Sequence, residues 1–390
     1  MLPPIPSAGE RRDPAPFTLD AQGHVLTFLP GGRQRMDALM DLIEGARESL
    51  LIAFYIFATD ESAVTVRDAL ARAAGRGVDV RVMVDGFGAD ADAAFFAPLL
   101  SAGGQFCCFQ AHWGRRYLIR NHQKIVVADR RIAMLGGFNV EDDYFAGDGQ
   151  DGWTDLAFMV EGAVVERVDR WAEGLWRWCR NPRGQFKAIR RLVREWDAGD
   201  GAVQLLIGGP TRGLSSWARS VSHDLVQGNR LDMMMAYFSP PHRLAHRIRR
   251  IARAGQARLI LAGRSDNGAT VGAARSYYRK LLRARAELRE YSARKLHTKL
   301  IVLDDAVYAG SANFDLRSLY LNLEIVLRIE DAALATRMRE MLAEYWQEAR
   351  PVTAAELRRV SWFTRARWQA SWFLVSLVDY TVSRRLNLGL

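Results

Sequence analysis

The chain has 390 residues, 49% of them hydrophobic and 25% charged, with a formal net charge of +10. This composition excludes a disordered or collagen-like chain and supplies apolar mass for more than one core. The cation excess points to anionic partners: nucleic acid, an acidic membrane surface or phosphate-bearing substrates. Three cysteines, Cys107, Cys108 and Cys179, are too few for a disulfide framework or a zinc cage and suit a reducing compartment.

Residues 1–25 read as a disordered leader, because prolines and charges interrupt the apolar core that a secretory signal needs. Asp37–Ala46 has helical spacing. Ser49–Phe57 (SLLIAFYIF) reads as a buried strand ending near Tyr55, Glu61–Arg76 as a helix stopped by Gly77, and Val78–Asp85 as a second strand. The second half repeats the series. Val203–Gly209 is a strand, followed by a helix near Leu214–Val226, the strand Leu231–Phe238, the helix His242–Ala254 and the strand Ala257–Gly263. AFYIFATDES corresponds to MAYFSPPHRL, and AAGRGVDVRVMVDG to RAGQARLILAG.

The fold class expected is α/β: two similar lobes, each a mixed, largely parallel sheet flanked by helices, related by a pseudo-twofold duplication. The lobes are expected at 26–200 and 201–350, joined through the charged stretch Arg191–Gly201, with an active site in the cleft between them. Segment 351–390 interleaves Trp362, Phe363, Trp368, Trp372 and Phe373 with Arg365, Arg367, Arg384 and Arg385, which suits a bilayer interface. The competing reading is a helix docked on the domain. No stretch approaches the roughly 18 apolar residues needed to cross a bilayer. The expected location is therefore peripheral, on the cytoplasmic face of the cell membrane.

The chemistry is concentrated in two segments, NHQKIVVADRRIAMLGGFN (Asn121–Asn139) and LHTKLIVLDDAVYAGSANFD (Leu296–Asp315). Each holds His-x-Lys, four residues, Asp, a gap, then Gly-Gly/Ser-x-Asn, and each reads as a β-hairpin. Alternation along a strand puts His122 with Lys124, and His297 with Lys299, on shared faces. Asn139 and Asn313 offer amide donors beside glycines that let a ligand approach the backbone. Two imidazoles, two ammonium groups and two amides form a receptor for a phosphodiester: the cations neutralise charge on phosphoryl oxygens without a metal. One imidazole attacks phosphorus while the other protonates the leaving alkoxide. Only five of 54 basic residues are lysines, and two of those five occupy the equivalent positions, so a compact ammonium is specifically used there. No cofactor is expected.

These residues resemble the two-motif members of the phospholipase D superfamily, with the motif carried by His122, Lys124, Asp129, Gly136, Gly137 and Asn139, then His297, Lys299, Asp304, Gly310, Ser311 and Asn313. One departure stands out: six residues separate Asp129 from Gly136, but five separate Asp304 from Gly310. The second hairpin must turn more tightly, or Asp305 takes part in the Asp role. The resemblance implies a phosphohistidine intermediate, with His122 as nucleophile and His297 as acid and base. It also implies a carboxylate downstream of each motif to orient imidazole, matched by Asp155 (GWTDLAF) and Glu324 (LNLEIVL). Asp129 and Asp304, at turns, are expected to hold the hairpins together.

Within the superfamily the chain is most similar to short bacterial cardiolipin synthases lacking N-terminal transmembrane helices. That likeness implies transfer of a phosphatidyl group from one phospholipid to the glycerol hydroxyl of phosphatidylglycerol, at an anionic membrane surface. Arg115, Arg116, Arg120, Arg294 and Lys295, just before the motifs, are candidates to meet lipid phosphates at the cleft mouth. Lipid hydrolysis with water as acceptor uses the same residues and stays open. A nucleic-acid phosphodiesterase is disfavoured by the Trp-rich end and the absence of a recognised nucleic-acid-binding module.

Overall fold

The computed structural model describes residues 12–110, 119–181, 186–211 and 213–375. The first lobe opens with β1 (Phe17–Ala21), β2 (His24–Leu29), α1 (Gly32–Gly45), β3 (Ser49–Phe54), α2 (Glu61–Gly75) and β4 (Asp79–Asp85). It continues through α3 (Ala97–Ser101), β5 (Gln105–Phe109), β6 (Ile125–Ala128), β7 (Ile132–Gly136), α4 (Asp142–Phe145), β8 (Trp153–Thr154), β9 (Ala157–Glu161) and α5 (Val164–Cys179). A linking helix, α6 (Phe186–Arg194), leads to the second lobe.

That lobe runs β10 (Val203–Gly208), α7 (Ser216–Gln227), β11 (Arg230–Met235), β12 (Phe238–Ser239), α8 (His242–Ala254), β13 (Gln256–Ala262), α9 (Gly268–Arg283) and β14 (Glu287–Tyr291). Then come β15 (Lys295–Leu296), β16 (Lys299–Leu303), β17 (Ala306–Gly310), β18 (Phe314–Asp315), α10 (Leu316–Tyr320), β19 (Glu324–Glu330) and α11 (Ala332–Glu348). The described chain ends in β20 (Arg350–Pro351), α12 (Ala354–Arg359) and α13 (Trp362–Phe373).

Two eight-stranded sheets carry the duplication. Their strand orders, β1-β2-β9-β7-β6-β3-β4-β5 and β10-β19-β17-β16-β11-β13-β14-β20, superimpose once the edge strands β1 and β20 are set aside. Both sheets are mixed, as expected, but the parallel share is smaller than the sequence suggested. Parallel pairing is confined to β3-β4-β5 and β11-β13-β14, where helices cross over. The motif hairpins β6-β7 and β16-β17, and the strands β9 and β19 after them, insert antiparallel. Strand β3 is a continuous apolar run because helices cover both faces of its sheet.

One apolar core spans both lobes. It joins Leu51, Val127 and Phe158 of the first sheet to Leu205, Leu300 and Ile325 of the second, with Trp171 of α5 and Met338 of α11 between them. Two further cores lie on the outer faces, under α1 and α2 in one lobe and under α7, α8 and α9 in the other. The lobes are therefore welded rather than hinged across a wet interface.

Two expectations change and one alternative is decided. Strand β1 pairs with β2 from Phe17, so ordered structure begins inside the stretch read as leader; residues 1–11 lie outside the described ones. Cys107 and Cys179, 72 residues apart, form a disulfide between β5 and the end of α5, so the cysteine count no longer argues for a reducing compartment. The second hairpin does turn more tightly: Leu303 faces Ala306 across two residues, whereas Ala128 faces Ile132 across three. Helix α13 docks on α9, where Trp372 Nε1 donates to Tyr277 Oη (2.6 Å) and Arg275 lies over the Trp368 ring. Its other face, with Trp362 and Phe363, is exposed. Among the described residues no helix is long and apolar enough to cross a membrane.

Candidate active site

The hairpin geometry delivers the two imidazoles. Strand β6 runs antiparallel to β3, so its first residue, Ile125, faces Ala53 near the end of β3, and His122 comes just before it. In the second lobe Lys299 faces Met235 at the end of β11, and His297 comes just before it. The opposite lobe then fixes each segment. His122 N donates to Leu323 O (3.0 Å), and His297 N donates to Thr154 O (2.8 Å), beside the parallel pairing of β8 with β15. Both imidazoles line one cavity of about 670 Å³ between the lobes.

The carboxylates cross over. His122 Nδ1 lies 3.1 Å from Glu324 Oε2, and His297 Nδ1 lies 2.7 Å from Asp155 Oδ2. Each imidazole thus draws its carboxylate from the other lobe. A carboxylate on Nδ1 fixes the tautomer and leaves Nε2 to do chemistry. Ser311 Oγ donates to the same Glu324 Oε2. Leu156 N donates to Asp155 Oδ1 (2.8 Å).

Burial dominates the electrostatics. It holds His122 well below its usual value, with the Lys124 and Lys299 ammonium charges adding to the effect. Burial, then Lys299, lowers His297 to about 3 against the opposing pull of Asp155. Burial also pulls Lys124 down to about 7 and Lys299 to about 8. The two carboxylates diverge. Burial lifts Glu324 to about 8 despite Lys124, whereas for Asp155 burial is outweighed by His297 and Lys299, which hold it below the usual range. Burial thus favours the neutral form of both imidazoles, the form in which a ring nitrogen is nucleophilic.

Of the residues singled out in the sequence, His122, His297, Asn139, Asn313 and Arg120 line the cavity, as does Lys295. Lys124, Lys299, Asp155 and Glu324 lie buried behind the imidazoles; Lys124 Nζ donates to His122 O (2.7 Å) and Lys299 Nζ to His297 O. Others are elsewhere. Asp129 accepts from the backbone N–H of Arg47, Glu48 and Ser49, and Asp304 from Asn229 and Arg230, at the sheet ends away from the cavity. They tie hairpin to strand, and Asp304, not Asp305, fills the second role.

Gly136, Gly137 and Gly310 are packing positions rather than ligand contacts. A Cβ on Gly137 would stand 2.4 Å from Asp155 Oδ1, and one on Gly310 2.2 Å from Ile325 O. Ser311 serves Glu324 in the same way. Arg294 is buried away from the cavity, bonded to Asp13 Oδ1 (3.1 Å) and Gly147 O (2.8 Å). Arg115 and Arg116 lie outside the described residues.

Several wall residues were not anticipated. The Tyr55 ring is centred 4.9 Å from His122; Tyr144 and Trp153 stand 5.1 Å and 5.3 Å from His297, and Tyr237 stands 6.3 Å away. The match of AFYIFATDES with MAYFSPPHRL already set Tyr55 opposite Tyr237, a usable signal. Asp315, Arg317 and Asn322, between the second motif and Glu324, complete that wall. Among the described residues no cluster of His, Cys, Asp and Glu could hold a metal ion.

Comparison with known proteins agrees with this geometry. Residues 39–176 and 225–346 match the family described as cardiolipin synthase, PLD-like domain. Cardiolipin synthase B of Salmonella typhimurium is 33% identical over 340 residues, covering 82% of this chain and 80% of that protein. Cardiolipin synthase A of Pseudomonas putida is 30% identical over 344 residues, covering 85% and 70%. The fold is that of the phosphatidylserine synthase of Haemophilus influenzae, with a TM-score of 0.75 at 15% identity over 92% of this chain and 96% of that one. With matches of this extent on a duplicated fold whose imidazoles share one cleft, the chain belongs to the cardiolipin synthase family of phospholipase D-like phosphatidyltransferases.

Proposed function

We propose that the protein transfers a phosphatidyl group onto the glycerol hydroxyl of phosphatidylglycerol, taking it from a second phospholipid by way of a phosphohistidine on His122. In the first step His122 Nε2 bonds to phosphorus, the bond from phosphorus to the headgroup oxygen breaks, and His297 gives its proton to the leaving alkoxide. In the second, the phosphatidylglycerol hydroxyl attacks phosphorus, its proton passes to His297 and the phosphorus–nitrogen bond breaks. The bound phosphodiester's own negative charge favours a proton on His297, beside the ionised Asp155. Arg120, Asn139 and Asn313 meet the phosphoryl oxygens from the wall, and the ammonium groups behind lower the cost of added charge.

The observation that carries this reading is the crossed pairing of two imidazoles that line one cavity. Residues 351–390 are assigned to contact with the bilayer, at the cytoplasmic face of the cell membrane. Incubation with radiolabelled phosphatidylglycerol tests the reaction. Diphosphatidyl product supports transfer; phosphatidic acid alone would make the protein a hydrolase.

A further inference from the structure

The cavity wall mixes polar and apolar side chains, and large apolar side chains stand exposed beside it. Among the described residues the five most exposed large apolar side chains are Trp362 (67%), Phe363 (67%), Phe87 (59%), Leu374 (56%) and Phe373 (52%). Two of them stand at the catalytic mouth, one from each lobe: Phe87 and Leu374. On the second lobe α13 ends beside the cleft, and Leu374 lines the cavity itself. On the first, Phe87 follows β4 and carries the Arg120 guanidinium 4.0 Å over its ring, while Arg120 lines the cavity. Side chains this large, exposed on both sides of one opening, mark an interaction surface.

A second feature lies on the linking helix. Lys187, Arg190, Arg191 and Arg194 of α6, with Thr211 and Gly213, surround a depression of about 530 Å³. Strand β10 ends at Gly208 opposite Glu324, so the loop bearing Thr211 and Gly213 leaves the sheet at its catalytic end. Lys187, Arg191 and Arg194 are exposed on one face of α6, where like charges about a turn apart repel; Arg194 pairs with Glu195 (2.7 Å), and an anion against Lys187 and Arg191 would relieve the rest.

We propose that the catalytic mouth docks flush on an anionic bilayer. Phe87 from one lobe, and Phe373 and Leu374 from the other, enter the headgroup layer around the opening, while the α6 cations take the phosphate of a neighbouring lipid. The proposal rests on the phospholipid reading of the site: a diacyl lipid whose phosphorus reaches His122 must leave its chains at the rim, where Phe87, Phe373 and Leu374 are exposed. It places the membrane contact around the active site rather than on the C-terminal segment alone.

Co-sedimentation of the full chain with phosphatidylcholine vesicles, with and without phosphatidylglycerol, tests it. Phe87→Ser with Leu374→Ser should weaken partitioning about tenfold or more on both vesicles. Lys187→Gln with Arg191→Gln and Arg194→Gln should remove the increment due to phosphatidylglycerol, yet leave turnover of dispersed dihexanoyl phosphatidylglycerol as in the wild type. Val25→Ser with Val226→Ser, on β2 and near the end of α7, should partition as the wild type. If the rim pair lowers the melting temperature, an environment-sensitive dye on Phe87→Cys replaces it: its emission should shift to the blue on vesicles, and the same dye on Val25→Cys should not shift.

Wild-type partitioning of the rim pair, an equal loss in the Val25/Val226 pair, or no shift at Phe87→Cys would overturn the proposal. Partitioning needs no turnover. Rim-dependent binding without any diphosphatidyl product would therefore sink the proposed reaction and leave this surface standing.

Discussion

The two halves of the catalytic centre occupy equivalent places in duplicated lobes, yet their surroundings differ. His297 sits 2.7 Å from an aspartate held in its ionised form, with Tyr144 and Trp153 against the ring. His122 sits 3.1 Å from a glutamate that shares its oxygen with Ser311 and that burial pushes toward the neutral form. An ionised carboxylate stabilises an imidazolium, as an acid and base requires, whereas a weaker partner leaves a nucleophile free to bond to phosphorus. The duplication supplied two similar groups, and in the proposed reaction the divergence of their second neighbours would separate the roles.

The largest effect should come from the imidazoles. His122→Ala and His297→Ala should each lower turnover by about 10⁴-fold or more, but only His297→Ala should retain capture of phosphatidyl label from a lipid with an activated leaving group. Label on the chain in His122→Ala would reverse the assignment. The carboxylates should rank next, and unequally. Asp155→Asn should lower kcat by about 10³-fold or more, and Glu324→Gln by about 10- to 100-fold, both read in steady-state assays. Equal losses would abolish the contrast.

The pH dependence of stability offers a third comparison. Glu324 in the folded chain titrates near 8, above its ordinary 4.5. The folded state therefore holds a proton that the unfolded state has released, and this contribution is full below the ordinary value and fades as pH rises toward 8. Glu324→Gln keeps a neutral side chain at every pH. Its melting temperature should fall less than that of the wild type between pH 5 and 8 (about the window set by these two values), by several degrees in calorimetry. The smallest effect on chemistry should come from the turn carboxylates. Asp129→Ala and Asp304→Ala should destabilise by about 1–3 kcal/mol in urea titrations while leaving kcat per folded molecule unchanged. Asp129 should cost more, since it holds three backbone N–H groups to the two held by Asp304.

Much of this was legible because buried strands write themselves as apolar runs. SLLIAF and LDMMM were readable as β3 and β11, and paired His-x-Lys motifs before apolar hairpins located both imidazoles. What escaped depends on packing between segments far apart in the chain. Proximity in sequence could not show that Glu324 serves His122 across 202 residues. Arg294 stands just before its motif, yet the bend between β14 and β15 turns it toward Asp13, away from the cavity. The glycines read as ligand contacts are emptied of side chains by Asp155 and Ile325. The extent of parallel pairing was overestimated because helical crossovers are conspicuous in sequence, while the antiparallel return of β9 and β19 is not.

The crossed carboxylates have a consequence for how the chain can be divided. Cut at the linker after α6, neither fragment would hold a finished acid–base pair, and each would bare its half of the shared core around Trp171 and Met338. Reconstitution from co-expressed fragments would have to restore both centres together, so activity should return with association as one all-or-nothing event.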